Sequence, residues 1–481
     1  MKNIIEKIKR KDNIVIFILF FLIALGVGLN LSLEAGDELL NFQNVYKMYN
    51  GFKIYEEINV IITPLFFWLA EGIFNLFYAN LFVFRVSHCV MMAILFLFTY
   101  KLLKKLELPK TIAVLTILMI NLQEFFLLIR ISFNYNNMAL LFFIIGVYYL
   151  INEKTRKNLY IQAIITILII LTKQNLGVYY LLGNIIYFGI SKTHIKEILK
   201  YISIILVAGI VFVTYFIIDN FINYTLGGMG EFANENVSFD FSGIIFMLGI
   251  TITNIVISSV LLKKKIFSTK QNENIKILLV FSIMLSFISY PIFNWAHIIL
   301  GTYLMIINIV YMLFTLFKDF ENIIQKILKI INAIVILGML AFFVFNMYMF
   351  INIIMDNDYP YSWEDPFFGG IIGKEEYEKN ENIIRYIEEN DKNVIVFSNR
   401  AALYMVPLKR NNGDFDLPFK GNLGIKGEKG LIEKVDKTQN AQFLIFKNES
   451  ASIYQETTIV KEHIKNTKKY VGEIEGFEIY E

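Results

Sequence analysis

The chain has 481 residues, of which 56% are hydrophobic and 16% aromatic, with a formal net charge of +3. A soluble domain of this length does not need so much apolar surface, so the composition excludes an ordinary cytosolic enzyme and calls for a lipid environment. Cys89 is the only cysteine, which excludes an intrachain disulfide and a cysteine metal cluster.

A basic start, Lys7-Ile8-Lys9-Arg10-Lys11, leads into the apolar run Ile14–Leu33. That run is long enough to cross a bilayer and too long for a signal-peptide core, so it predicts an uncleaved anchor. Apolar runs then alternate with short polar loops to about residue 350. None of the seven prolines lies mid-span, so the helices are expected to be unbroken. Loops at 2–11, 101–110, 154–157, 192–200, 263–276 and 318–329 are basic. Those at 34–60, 130–136, 173–175, 219–240 and 291–297 are poor in Lys and Arg. Positive loops stay on the cytoplasmic side, which places the N-terminus inside.

Residues 61–79 decide the count. If they crossed, Lys101, Lys104, Lys105 and Lys110 would face outward and every later loop would break the charge rule. An interfacial helix opened by Pro64, with Trp68 and Glu71 near the headgroups, restores it. Eleven spans follow: 14–33, 80–100, 111–129, 137–152, 158–173, 176–190, 199–218, 241–262, 275–291, 297–317 and 327–350. An odd number puts the tail outside.

From residue 351 the chain turns charged. Helices are predicted at Lys374–Asn390 and Leu431–Val435, and buried strands at Asn393–Phe397 and Gln442–Phe446. A closing hairpin is expected at Tyr470–Tyr480 around Gly476. The expected architecture is an all-α polytopic membrane domain over 1–350, with a first outer loop at 34–79, and a small extracytoplasmic α/β domain over 351–481. The glycines of Gly369-Gly370-Ile371-Ile372-Gly373-Lys374 miss the P-loop spacing and carry no phosphate-loop assignment.

Chemistry-bearing residues are few. Asp37 and Glu38 open an amphipathic stretch to Asn50 just after the first span. Acids in a first turn stabilise the helix end. A carboxylate at the membrane surface also has the basicity to act as a general base, and two together offer oxygen ligands to a divalent cation. On the outer side the scarce cations are Arg85, Arg130 and Lys173. Snorkelling accounts for them, as does an Arg130–Glu124 ion pair; capture of a phosphate is the functional alternative. His297 begins a span beside Trp295, and His88 reads as a packed residue. No zinc site, nucleophilic triad or nucleic-acid surface emerges.

The order of these features resembles that of the GT-C membrane glycosyltransferases, the class of the protein O-mannosyltransferases and lipid A aminoarabinose transferases. The resemblance rests on one span, Gly36-Asp37-Glu38, then Tyr55, Thr63-Pro64-Leu65-Phe66-Phe67-Trp68-Leu69 and Arg85. It continues through Arg130…Tyr135-Asn136, Lys173-Gln174-Asn175 and Tyr290-Pro291…His297, and covers nearly the whole chain. It implies an inverting enzyme of a bacterial cytoplasmic membrane. The sugar would move from a polyprenyl-phosphate donor to a lipid, glycan or protein acceptor at the outer face. Asp37 matches the catalytic acid, with Glu38 as its neighbour. Arg130, Lys173 and Arg85 are the expected donor-phosphate contacts, and Tyr135, Asn136, Gln174 and His297 the expected pocket residues. Relatives often carry a charged residue near Asn294, and this chain does not. The competing readings are a transporter or flippase of lipid-linked sugars and a polysaccharide polymerase or ligase. Unbroken spans count against the first, and the acidic loop 219–240 against the second.

Overall fold

The structure, a computed structural model, describes residues 2–33, 37–122, 130, 133–151, 156–215, 238–264, 267–290, 292–317, 321–416, 423, 426–447 and 457–481. Glu124 and the acidic loop 219–237 lie outside the described residues. The chain divides into two compact units. The first comprises Met1–Asn30, Val86–Val211 and Ser238–Phe350; the second comprises Leu31–Arg85, Phe212–Val237 and Ile351–Glu481.

The helices over the expected spans are α1 (Lys2–Gly28), α4 (Leu81–Lys105), α5 (Lys110–Leu122), α6 (Tyr135–Leu150), α7 (Arg156–Thr172), α8 (Gln174–Ile190), α9 (Ile195–Tyr215), α10 (Phe241–Lys264), α11 (Thr269–Ser286), α12 (Trp295–Leu316) and α13 (Glu321–Met355). A helix occupies each of the eleven expected spans. Seven of them, among the described residues, are long and apolar enough to cross a bilayer. The others, α5 to α8, have 13, 16, 17 and 17 residues, at or below the lower limit of roughly 17 for crossing the hydrocarbon core. Asn134 caps the start of α6, and Lys173 lies between α7 and α8. This is a multi-pass membrane protein.

Within the first unit α12 is the central helix. It packs on α5, α10 and α11, and α11 in turn packs on α6 and α8. Polar side chains inside this bundle find each other: Asn308 donates to Asn254 (2.8 Å), Asn254 to Ser282 (2.9 Å), and Thr99 shares a hydrogen bond with Tyr303 (2.8 Å). In hydrocarbon an unpaired amide costs several kcal/mol, so such pairs fix helix register. By contrast α9 and α13 expose apolar side chains such as Val207, Ile210, Leu337 and Phe345, as lipid-facing helices do.

The second unit holds α2 (Asp37–Tyr49), α3 (Leu65–Leu76) and the tail. At 12 residues α3 is about 18 Å long, short of the ~30 Å hydrocarbon core, with Pro64 at its N-cap, exposed Leu76 as its last residue and exposed Phe77 and Tyr78 past its end. It is too short to cross the hydrocarbon core by itself. The expectation of a one-sided amphipathic α2 is corrected: Asn41, Gln43, Asn44 and Lys47 are buried along with Leu39, Phe42 and Val45. Phe42 lies in an aromatic cluster with Phe74, Phe84 and Phe367, at centroid distances of 5.6–5.9 Å. Chain packs on several sides of this helix, which a helical period cannot foretell.

The tail forms a four-stranded sheet from β3 (Asn393–Phe397), β4 (Ala441–Phe446), β5 (Tyr470–Ile474) and β6 (Phe477–Tyr480), in the order β3-β4-β6-β5. The β3–β4 pair is parallel and the others antiparallel. Helices α14 (Lys374–Glu389), α15 (Ala402–Met405), α16 (Gly427–Lys437) and α17 (Thr458–Thr467) accompany it. Its core joins Phe397, Phe443 and Ile445 to Leu431, Val435, Val460 and Ile464. The hairpin turns on Glu475 and Gly476, both at positive φ (44° and 85°), the geometry that favours glycine in a two-residue loop. Helix α17 went unpredicted, as did a parallel pair, β1 (Ser238–Phe239) with β2 (Ile292–Phe293), whose two-residue strands are too short for a periodic signal.

Candidate functional site

Asp37 and Glu38 occupy the first turn of α2, where the helix dipole favours acids. Their surroundings separate them. Glu38 is 2% exposed and is held by Arg85 through two parallel bonds, Nε to Oε1 at 2.9 Å and an Nη to Oε2 at 2.7 Å. The remaining Arg85 N–H groups donate to the carbonyls of Leu31 (2.8 Å), Ser32 (3.1 Å) and Gly369 (2.8 Å). A guanidinium has five N–H donors, and here all five are engaged. This corrects the expectation of a donor-phosphate contact at Arg85, since none of its N–H groups remains to reach a phosphate. It also weakens the idea of a cation bridging the two acids, because a metal would have to displace the guanidinium from Glu38. Asp37 is half-buried, and its backbone carbonyl accepts from the Asn41 side chain at 2.8 Å.

The Arg85 contacts organise the backbone around Asp37. Ser32 bridges Ile371 in parallel, the N–H of Leu33 donates to Ile371 at 3.0 Å, and that of Gly369 donates to the Tyr359 hydroxyl at 2.8 Å. Gly369 has φ of +89°, and a Cβ there would come within 2.8 Å of the Phe82 Cβ. The glycine-rich segment is thus a structural clasp.

The other end of α2 is fastened as well. Lys47 and Asp416 form a buried ion pair, with side chains 3% and 10% exposed. Sequence reading found neither residue as a pair, because 369 positions separate them. A further carboxylate it passed over is Asp365. Burial pushes its pKa up to about 6, with a contribution from Glu381, against the stabilising N–H of Phe367 at 2.8 Å.

In the first unit the structure brings together most of the expected pocket residues. Lys173, 8% exposed, donates from Nζ to the Asn136 side chain and lies 5.6 Å from the ring centre of Tyr135. Gln174 follows it as the first residue of α8. His297 lies within electrostatic range of Lys173. Asn294 caps α12: its Oδ1 accepts the His297 backbone N–H at 3.0 Å and contacts His297 Nδ1 at 2.8 Å. A backbone N–H can only donate, so the Asn294 atom is oxygen. Nδ1 therefore carries the proton, and Nε2 is the acceptor. The uncharged Asn294, where relatives often have a charge, is thus a helix cap that also sets the His297 tautomer. The cluster holds one cation, one amide and one imidazole acceptor, a set suited to a phosphate and its neighbouring hydroxyls. Arg130 is exposed. His88 is buried, as expected of a packed residue. Among the described residues no group of three or more His, Cys, Asp or Glu side chains is arranged to hold a metal ion.

Residues 62–218 match the family model described as dolichyl-phosphate-mannose-protein mannosyltransferase. The chain superposes on the crystal structure of ArnT from Cupriavidus metallidurans in the apo state with a TM-score of 0.57 and 9% identity, over 98% of each chain. It superposes on ArnT from the same organism bound to undecaprenyl phosphate with a TM-score of 0.55 and 10% identity, over 97% of each chain. A comparison with curated protein sequences gives no match. At such identity what is shared is architecture, and it is shared from end to end: the chain has the fold of the ArnT structures.

Proposed function

We propose that this protein is an integral membrane glycosyltransferase that moves a sugar from a polyprenyl-phosphate-linked donor to an acceptor at the outer face of the membrane, with inversion at the sugar carbon. Asp37 is the general base that takes the proton of the acceptor hydroxyl or amine. Lys173, positioned by Asn136 and Tyr135, neutralises the departing phosphate, and His297 and Gln174 orient the donor. Arg130 is a second, peripheral phosphate contact. Arg85 and Glu38 are positioning residues that hold the backbone on both sides of Asp37.

The observation that carries this reading is the asymmetry of the two acids. Glu38 is 2% exposed within its ion pair with Arg85, and Asp37, at the start of the helix that this pair anchors, is only half-buried. The match to a mannosyltransferase family over 62–218, and an ArnT structure holding undecaprenyl phosphate on the same fold, support a polyprenyl-phosphate carrier. Stabilising the leaving phosphate is the larger effect, since losing one such electrostatic contact costs on the order of a hundredfold or more in rate.

The test is Asp37→Asn. Transfer from lipid-linked sugar should vanish while the amount of protein in the membrane stays at the wild-type level. Full transfer by this variant would remove Asp37 from the mechanism. Movement of lipid-linked sugar across vesicles without any transfer would favour a flippase instead.

A further inference from the structure

Helix α3 is apolar on more than one side. Phe66, Phe67, Ala70 and Phe74 are buried, and the Phe74 ring meets Phe42 and Tyr49 of α2 at centroid distances of 5.9 and 6.3 Å. A second side presents Leu69 and Leu76, two turns apart and both exposed, and the chain continues into exposed Phe77 and Tyr78. Single apolar side chains at a surface are ordinary, but a contiguous set marks a contact surface.

The tail adds to this surface. Trp363, 41% exposed, sets its ring against Tyr78, Phe82 and Phe368, at centroid distances of 5.6, 5.5 and 4.9 Å. Its segment is fastened to the start of α4. The first N–H groups of a helix have no acceptor within the helix. Here those of Leu81 and Phe82 donate to the carbonyls of Pro366 and Phe368, both at 2.8 Å. The Asn80 side chain accepts from the Val83 N–H at 3.0 Å and donates to the Trp363 carbonyl at 2.9 Å. The first turn of α4 thus carries the tail segment and sets the level of Trp363.

That level follows from α4 itself. The helix is long and apolar enough to cross a bilayer, and its first lysine is Lys101. Residues 81–100 rise about 30 Å, the thickness of the hydrocarbon core. With Lys101 at one boundary of the core, Leu81 lies at the other, and Tyr78 and Trp363 lie with it. Trp and Tyr favour this level, because an apolar ring there carries a polar N–H or O–H. Exposed Ser362 and Glu364 flank Trp363 and supply a polar margin.

We propose that the 362–368 segment of the tail is a membrane-surface element, in which Trp363, seated on Tyr78 and Phe82, enters the phospholipid headgroup layer beside the start of α4. The lipid contact holds at a fixed level the same stretch of tail whose Gly369 carbonyl accepts from Arg85. It does not rest on the catalytic assignment.

The experiment uses the full-length protein reconstituted in phosphatidylcholine vesicles, with tryptophan fluorescence as the readout. The chain has three tryptophans, so Trp68→Phe/Trp295→Phe leaves Trp363 as the reporter. Its emission should be quenched more by a lipid spin-labelled near the glycerol end of the acyl chain than by one labelled near the methyl end. It should also be shielded from iodide relative to free tryptophan. Should the double variant fail to fold, the difference between wild type and Trp363→Phe supplies the same measurement, and the shallow-quenched component should shrink in Trp363→Phe. Full quenching by iodide with no effect of either lipid label would place the patch in water, open to a soluble glycan or protein, and overturn the proposal. Stronger quenching by the deep label, shielding from every quencher, or an unchanged shallow component in Trp363→Phe would overturn it as well.

Discussion

Among single residues, Arg85 illustrates how a charge can be read correctly as unusual and wrongly as a ligand. Its scarcity on the outer side marked it out, but all its N–H groups serve Glu38 and three backbone carbonyls. Glu38→Gln leaves a buried guanidinium without its counter-charge, a change that typically costs about 3–5 kcal/mol. The expected result is a clear fall in the thermal-unfolding midpoint of the detergent-solubilised protein; an unchanged midpoint would show that the pair does not hold the fold. Asp365 gives a pH effect of definite sign. Its folded pKa of about 6 lies above the ordinary carboxylate value, so its contribution to stability is fully present below about pH 4 and is lost as pH rises through 6. Asp365→Asn keeps an oxygen for the Phe367 N–H and removes the titration. The midpoint of this variant relative to wild type should therefore climb between pH 4 and 6 and level off above. A difference that stays flat over that interval would contradict the burial argument.

For the elements, α2 is the piece on which the candidate site depends. Its first turn carries Asp37 and the Arg85-bound Glu38. Its last turn carries Lys47, paired with Asp416 of the tail, and α15 packs against it. The side chain of Asn411 adds a bond to the Glu57 carbonyl at 2.8 Å. The tail is thus a brace for α2. Asp416→Asn strands the Lys47 charge in a buried setting at a cost of about 3–5 kcal/mol. Limited proteolysis should then cut the tail segment faster than in the wild type, and an unaltered cleavage rate would argue against the brace. The strands and helices of the tail were legible because each has a clear period and turn residues at its ends. What they brace was not, since no periodicity links position 47 to 416.

At the scale of the molecule, the distribution of positive charge predicts which side each loop faces, and the end-to-end match to the ArnT fold fits a chain that crosses many times. Cys89 is buried and is the only cysteine, which makes labelling simple. A cysteine introduced at Lys379 in the tail should react with a membrane-impermeant maleimide in intact cells. One introduced at Lys270, in a basic loop, should react only after permeabilisation. The reverse pattern would invert the topology and remove Asp37 from the outer face.

Sequence alone determined the membrane character, the positions of eleven helices, the separate nature of 61–79 and the α/β tail. These follow from local hydropathy, charge and period, which neighbouring residues carry between them. It also brought forward Asp37, Lys173, Asn136 and His297 as chemistry-bearing residues, because polar groups are costly in or near lipid and stand out there. Tertiary structure alone decided that Glu38 and Arg85 neutralise each other, that Lys47 meets Asp416, and that α2 is buried on nearly every side. Each of these depends on segments tens to hundreds of residues apart converging in space, and only packing brings them together.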